Sequence, residues 1–161
     1  MSRIHPLALA AAVLLATSPM ALAQSVNTRF GPVSVNQDVL MFRGRPVTPS
    51  IEGNTSLGLD QVLQVGASDA VIVRDNGGSA CPVLFHVVMV SAQGAKASPA
   101  FGTCSEAAEV SKKGDGVSLR MPTVSSFMEQ RAGKGDAGRM HVFVVVNGAV
   151  TDNGKPYRGP G

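Results

Sequence analysis

The longest apolar run beyond the N-terminal segment is Val83-Leu-Phe-His-Val-Val-Met-Val90, in which only His86 is polar. Successive side chains of a β-strand point to opposite faces of the sheet, so this run presents an apolar surface on both faces. A strand of that kind is typical of the middle of a sheet that is covered on both sides. The run therefore predicts a central strand, and we expect the ring of Phe85 to be buried.

A second run of the same kind is Met140-His-Val-Phe-Val-Val-Val146. Asn147-Gly148 follows it directly, and Asn-Gly is the dipeptide most typical of a two-residue type I′ hairpin turn. We therefore predict a hairpin that continues into residues 149–151. Both runs are expected to be interior strands of one core, with the ring of Phe143 buried as well.

The rest of the chain favours strands over helices. It contains 18 Gly and 10 Pro, and these residues interrupt the apolar segments every few positions, which suits strands and turns. Residues 69–74 read as a buried strand, and Gly114-Asp115-Gly116 reads as a hairpin loop of about three residues. The predicted fold class is all-β, either a single antiparallel β-sandwich or a partly open barrel.

The N-terminus has the three elements of a cleavable signal peptide. Arg3 is followed by an apolar stretch over residues 7–16 and then by Ala21-Leu22-Ala23, an A-x-A cleavage site. We predict a signal-peptide helix over residues 1–23, cleaved between Ala23 and Gln24. The apolar stretch is shorter than the roughly 20 residues that span a bilayer. The mature chain is therefore expected to be periplasmic or secreted, without a membrane span.

The mature chain is predicted to hold one β-rich domain over residues 24–151 and a flexible C-terminal tail over residues 152–161, which are polar and rich in Gly and Pro. Its two cysteines are Cys81 and Cys104. In an oxidising compartment an even number of cysteines suggests a bridge, and this spacing excludes a C-x-x-C redox motif. We therefore predict a structural disulfide between them.

The charge pattern gives no sign of nucleic-acid binding. The chain has 14 basic and 11 acidic residues, and the basic residues are scattered, with Lys112-Lys113 as the only adjacent pair. Nucleic-acid binding requires a clustered basic face. We expect a partner that is another protein or a component of the cell envelope. The sequence leaves the oligomeric state open.

Few residues have the chemistry of a catalytic or metal site. After export the chain retains His86 and His141, each within an apolar run, and a zinc site needs three or four ligands. The chain has no G-x-S-x-G motif. We predict no catalytic residues, no metal and no cofactor. A small hydrolase that uses His86 or His141 as its base stays open as an alternative.

Two segments around the cysteines carry a resemblance. They are Gly77-Gly-Ser-Ala-Cys-Pro82 and Phe101-Gly-Thr-Cys-Ser105. This pattern resembles small exported proteins of proteobacteria that carry a GG-S/T-A-C-P segment followed by F-G-T-C-S. The stretch over residues 45–54 fits the same group, so the resemblance covers about residues 44–105. It implies export and a paired-cysteine β domain, and it identifies no functional residue.

These observations favour a non-enzymatic binding protein of the envelope, comparable in size and compartment to inhibitors and immunity proteins. The loops around Cys81 and Cys104 are its expected binding surface, because preorganised loops lose less entropy on binding. The main alternative is a structural or subunit protein that pairs with its partner through a sheet edge.

Overall fold

The computed structural model describes residues 24–124 and 138–159. These residues form thirteen strands in three antiparallel sheets, here called A, B and C. Each of the three described sheets is open at both edges, so the sandwich alternative is the one that forms. The described residues contain no helix that is long and apolar enough to cross a bilayer. The predicted signal peptide and its cleavage site at Ala23 lie outside the described residues.

Sheet A contains the first four strands in sequential order. They are β1 (Ser25–Thr28), β2 (Gly31–Asn36), β3 (Val39–Phe42) and β4 (Arg45–Pro46). Sheet B follows in the same meander order with β5 (Ser56–Val65), β6 (Ser68–Asn76), β7 (Val83–Ser91) and β8 (Gly94–Ala97).

Sheet C has the order β13-β12-β11-β10-β9. Its strands are β9 (Glu109–Lys113), β10 (Gly116–Pro122), β11 (Met140–Val146), β12 (Ala149–Asp152) and β13 (Lys155–Pro156).

Sheet B lies between the other two sheets, because its two faces belong to different hydrophobic clusters. On β7, Phe85 and Val87 pack in a cluster with residues of sheet C, whereas Val88 and Val90 pack in a cluster with residues of sheet A. All four side chains are fully buried. The predicted central strand is thus confirmed, and the apolar character of both its faces results from a three-layer arrangement.

The second predicted interior strand, β11, is also central in its sheet, but only one of its faces is covered. Phe143 and Val145 are buried on that face, whereas Val142 and Val144 on the other face are half-exposed. The prediction that Phe85 and Phe143 share one core is confirmed, because both rings belong to the cluster between sheets B and C.

The predicted turn between β11 and β12 is confirmed. Asn147 and Gly148 have φ values of 49° and 80°, and positive φ at both central residues defines a type I′ turn. The loop between β9 and β10 is one residue shorter than predicted, because Gly116 already begins β10 and the turn is Gly114–Asp115.

The predicted boundary of the tail is wrong. Strand β12 extends to Asp152, and the chain then turns at Asn153–Gly154, where φ is again positive at both residues (48° and 79°). Strand β13 pairs with β12 after this turn. The ring of Tyr157 packs edge-on against Phe143, with ring centroids 5.5 Å apart. The ordered sheet therefore continues to Pro156, five residues beyond Thr151, because this second Asn-Gly dipeptide forms another hairpin.

The predicted disulfide is confirmed. Cys81 and Cys104 are bonded, and their Cα atoms lie 4.8 Å apart. The bridge joins the segment that precedes β7 to the segment that follows β8. Phe85 and Phe101 pair through their backbones beside it, so the disulfide holds a segment that is already hydrogen-bonded to the central strand.

An ion pair joins sheet A to sheet B at the other end of the central sheet. Arg29, in the β1–β2 turn, donates its backbone N–H and its Nε to the two carboxylate oxygens of Asp69, at 2.6 and 2.7 Å. The Asp69 side chain is almost fully buried at 1% exposure. The same guanidinium donates to the carbonyl of Ser68 at 2.6 Å. This contact fixes the β1–β2 turn against the start of β6.

Candidate binding groove

Hairpins from all three sheets converge at one end of the molecule and enclose a groove of about 860 Å³. The β3–β4 hairpin of sheet A forms one wall, and the β7–β8 hairpin of sheet B forms the other. Asn147, in the β11–β12 turn, contributes from sheet C. We call this the hairpin groove; its lining residues are Phe42, Arg43, Arg45, Pro46, Val47, Thr48, Ser68, Met89, Ser91, Gln93, Gly94, Ala95, Lys96 and Asn147.

Three cationic side chains line the hairpin groove, and its described lining includes no carboxylate. Arg43 and Arg45 come from sheet A, and Lys96 comes from sheet B. All three residues are exposed. The sequence shows no basic cluster here, because Lys96 lies about fifty residues from Arg43 and Arg45 and belongs to a different hairpin. The groove is therefore a local site of positive potential on a protein with a small net charge.

Arg43 is held in a defined orientation. Its Nε donates to the carbonyl of Phe30 at 2.6 Å, and its guanidinium carbon lies 5.0 Å from the centre of the Phe42 ring. A guanidinium fixed in this way loses less conformational entropy when an anion binds, and its planar fork matches a carboxylate. Arg43 is consequently the preorganised cation of the groove.

Lys96 is placed by the type I′ turn of sheet C. A side chain at Gly148 would begin 3.2 Å from Lys96 Cε and 3.3 Å from the carbonyl oxygen of Ala97. Only glycine allows this close approach together with the positive φ of the turn. The Asn147-Gly148 turn thus packs under the Lys96 side chain and completes the third side of the groove.

A second, smaller cleft of about 310 Å³ lies near the disulfide, and we call it the tyrosine cleft. It contains the only close pairing of a histidine ring nitrogen with a carboxylate among residues 24–124 and 138–159: His141 Nδ1 lies 2.8 Å from Asp152 Oδ2. An Nδ1–H that donates to the carboxylate fixes the orientation of the ring and leaves Nε2 on its other side. His141 is therefore the better placed of the two histidines to act as a base.

The threonine hydroxyl groups beside the His141–Asp152 pair donate to backbone carbonyls and not to His141. Thr103 donates to the carbonyl of Pro122 at 2.6 Å, and Thr123 donates to the carbonyl of Arg139 at 3.1 Å. A hydrolase with a histidine base needs a nucleophile within hydrogen-bond reach of that base. The described lining of the tyrosine cleft shows no hydroxyl paired with His141, so the structure supplies the base and its orienting carboxylate but no activated nucleophile.

Tyr157 closes one side of the tyrosine cleft. Burial raises the pKa of its phenol above the usual value of 10.0, and the negative charge of Asp152 acts in the same direction. The Gly102 amide lies close enough to oppose part of this pKa shift, but the phenol oxygen has no hydrogen bond of normal geometry among the described residues. Tyr157 is therefore a neutral, packed ring here.

His86 lies on the opposite side of sheet B from His141. It shares a face of β7 with Val88 and Val90, toward sheet A, whereas His141 shares a face of β11 with Phe143, toward sheet B. The two rings therefore do not form a metal-binding pair. Among the described residues no group of three or more His, Cys, Asp or Glu side chains could hold a metal ion.

The ring of His86 is buried and is fixed by the backbone. Its Nδ1 lies 3.1 Å from the carbonyl of Ser98, which identifies Nδ1–H as the donor, and its Nε2 lies 3.9 Å from Asp75 Oδ2. Burial lowers the pKa of His86 below its ordinary value of 6.5; the Ser98 hydrogen bond and the Asp75 charge oppose this shift only in part. His86 is thus a neutral structural residue.

The lowered pKa of His86 predicts that the protein loses stability in mild acid. The unfolded chain binds a proton near pH 6.5, and the folded chain resists that proton, so the free energy of unfolding falls as the pH drops below 6.5 toward the lowered pKa. His86→Asn retains a donor for the Ser98 carbonyl and removes the titration. We expect urea unfolding between about pH 7.5 and pH 5.5 to show a smaller loss for His86→Asn than for the wild type. An equal loss in the two proteins would contradict this assignment.

No protein-family model matches the chain, and no curated protein or solved structure is a significant match to it. The fold and the hairpin groove therefore define the molecule only as an all-β protein of three layered sheets with a cationic groove.

Proposed function

We propose that this protein is an exported, non-enzymatic binding protein of the bacterial envelope that holds an anionic partner in the hairpin groove. It would act in the manner of an inhibitor or an immunity protein, in the periplasm or after secretion. The observation that carries this proposal is the convergence of Arg43, Arg45 and Lys96 on one groove whose described lining has no carboxylate.

The balance of charge in the hairpin groove favours an anionic partner. Exposed cations on a protein surface are ordinarily hydrated, and isolated ones need no partner. Here three of them surround a concave site whose walls are hairpins of three sheets, and one guanidinium is already oriented. Concave walls of low dielectric concentrate the field of such charges, which raises the local concentration of anions.

The predicted binding surface around the disulfide is less well supported than the groove. Cys104 lines the tyrosine cleft, whose volume is about a third of that of the groove. The described walls of that cleft bring together a histidine, a carboxylate and a phenol but include no Lys or Arg. The hydrolase alternative would rest on His141 and would need a nucleophile that the described lining does not present.

The structural alternative, pairing through a sheet edge outside the groove, has β9 as an available edge. This strand ends sheet C, and its outer side has no strand partner among the described residues. It carries Lys112 and Lys113, but β9 does not contribute to the hairpin groove, so pairing there would leave the cations of the groove unused. The groove is therefore the better supported site.

Charge reversal tests the proposal. We expect Arg45→Glu/Lys96→Glu to weaken binding of the partner at least about tenfold, because two attractions of about 0.5 kcal/mol or more are each replaced by a repulsion. The matched control is Lys112→Glu/Lys113→Glu, which makes the same change of charge on β9. Co-purification from a periplasmic extract identifies binding proteins, and titration with a purified partner gives the affinities. Equal affinities for the two double variants would exclude the groove as the binding site.

A further inference from the structure

The two walls of the hairpin groove are the edges of two sheets that pair at one point and then separate. The carbonyl of Thr48, just after β4, accepts a hydrogen bond from the N–H of Ala97 on β8 at 3.0 Å. Thr48 and Lys96 form a parallel bridge there. From this point toward the hairpin tips β4 and β8 diverge, and the groove lies between them.

The alternation of the β-ladder determines which backbone groups face the gap. In an antiparallel pair, successive residues direct their N–H and C=O groups alternately toward the partner strand and away from it. The N–H of Ala97 points away from β7, so the N–H of Ala95 does so too. On the other wall Val47 donates to the carbonyl of Leu40 on β3, so the neighbouring carbonyl of Pro46 points away from β3.

The Ala95 N–H and the Pro46 carbonyl face the same gap but are not hydrogen-bonded to each other. A continued parallel ladder would join the Ala95 N–H to the Pro46 carbonyl, but the bridge at Thr48 is isolated and β4 does not pair with β8 among the described residues. Within the described part of the chain, the groove therefore presents a backbone donor on β8 and a backbone acceptor on β4 that have no strand partner. Both belong to sheet edges, and an extended peptide adds to exposed edges of this kind.

We infer that the hairpin groove binds an acidic segment of a partner protein in extended conformation, which accepts a hydrogen bond from Ala95 and donates one to Pro46. This inference rests on the proposed function and specifies its ligand. In an extended segment every second side chain faces the same way, so acidic residues at alternate positions can reach the cations of the groove.

The backbone groups argue for a peptide over a phosphate or a sulfated polymer. An inorganic anion or an acidic polysaccharide can satisfy Arg43, Arg45 and Lys96, but the oxygens of the anion mainly accept hydrogen bonds, and the hydroxyl donors of a polysaccharide do not repeat at the spacing of a strand. The Pro46 carbonyl can accept from a donor and the Ala95 N–H can donate to an acceptor. A peptide backbone supplies both at the spacing of a strand.

The test uses a synthetic hexapeptide of alternating Val and Glu with blocked ends, titrated into the purified full chain by calorimetry. Ala95→Pro removes the outward N–H from an edge position where proline is tolerated, and Ala95→Ser is the matched control that retains it. We expect saturable binding by the wild type and by Ala95→Ser, and binding about three- to tenfold weaker by Ala95→Pro, as for the loss of one backbone hydrogen bond. A peptide of alternating Val and Lys should not bind.

A second measurement needs no variant. Hydrogen exchange of the Ala95 amide, followed by NMR in the wild type, should slow at least about tenfold at saturation with the acidic peptide. Unchanged exchange at saturation overturns the inference, whether or not Ala95→Pro folds. If polyphosphate binds and Arg45→Glu/Lys96→Glu abolishes that binding while the peptide does not bind, the strand-addition inference fails and the anion-binding function stands. If no anion binds in the groove, both fail.

Discussion

Phe85→Ala is expected to lower the free energy of unfolding by about 3–5 kcal/mol, the usual cost of deleting a fully buried ring. Phe85 has no exposed surface and lies at the centre of the cluster between sheets B and C. Its backbone N–H and C=O both bond to Phe101, which restrains this part of β7 from collapsing into the cavity. The cost should therefore stay near the upper part of that range.

Urea unfolding of the oxidised protein measures this effect. A loss of 3–5 kcal/mol should lower the melting temperature by roughly 10–20 °C in a domain of this size. The matched control is Phe30→Ala, since the Phe30 ring is only half-buried beside Arg29, and its removal should cost less than half as much. Similar costs for the two variants would show that Phe85 does not lie in a closed core.

The part of the fold that could be predicted from the sequence is the part determined locally. The run over residues 83–90 identified the central strand because its side chains are apolar at every position except His86. Asn147-Gly148 identified a hairpin because few other dipeptides adopt positive φ twice. The disulfide between Cys81 and Cys104 followed from the number of cysteines, since two cysteines allow one internal pair.

The predicted tail failed although a local signal was present. Asn153-Gly154 is the same dipeptide as Asn147-Gly148, and it makes the same kind of turn. The segment behind it contains Pro156 and few apolar residues, which favoured a loose tail. The contact of the Tyr157 ring with Phe143 explains why the turn forms despite this composition, because it holds the short strand β13 in place.

The candidate site could not be predicted because it depends on the order of the sheets. Arg45 and Lys96 are separated by about fifty residues in the chain, and each follows a hairpin turn that looks like any other. The two meet only because sheet A packs on sheet B with β4 beside β8. No periodicity or motif in the sequence encodes that packing, so the basic residues looked scattered.

The contact that fixes sheet A against sheet B gives the second large expected effect. Arg29→Ala should lower the free energy of unfolding by about 3 kcal/mol, because it leaves the buried carboxylate of Asp69 without its charged partner. The cost should lie at the lower end of the range for breaking a buried pair, since Arg29 itself is 39% exposed and water can approach from its side. The backbone N–H of residue 29 still donates to the carboxylate after the substitution.

A double-mutant cycle measures the coupling energy between Arg29 and Asp69 apart from their other contacts. Removing both partners in Arg29→Ala/Asp69→Ala leaves no unpaired buried charge, so the double variant should be less destabilised than the sum of the two single variants predicts. Arg120→Ala is the matched control, because the ion pair of Arg120 with Glu109 is 3.1 Å long and exposed on both sides; it should change stability by about 0.5 kcal/mol or less. If Arg29→Ala costs no more than Arg120→Ala, the Arg29–Asp69 contact does not hold sheets A and B together. The walls of the hairpin groove must then be aligned by the apolar cluster between those sheets and by the Thr48–Ala97 hydrogen bond.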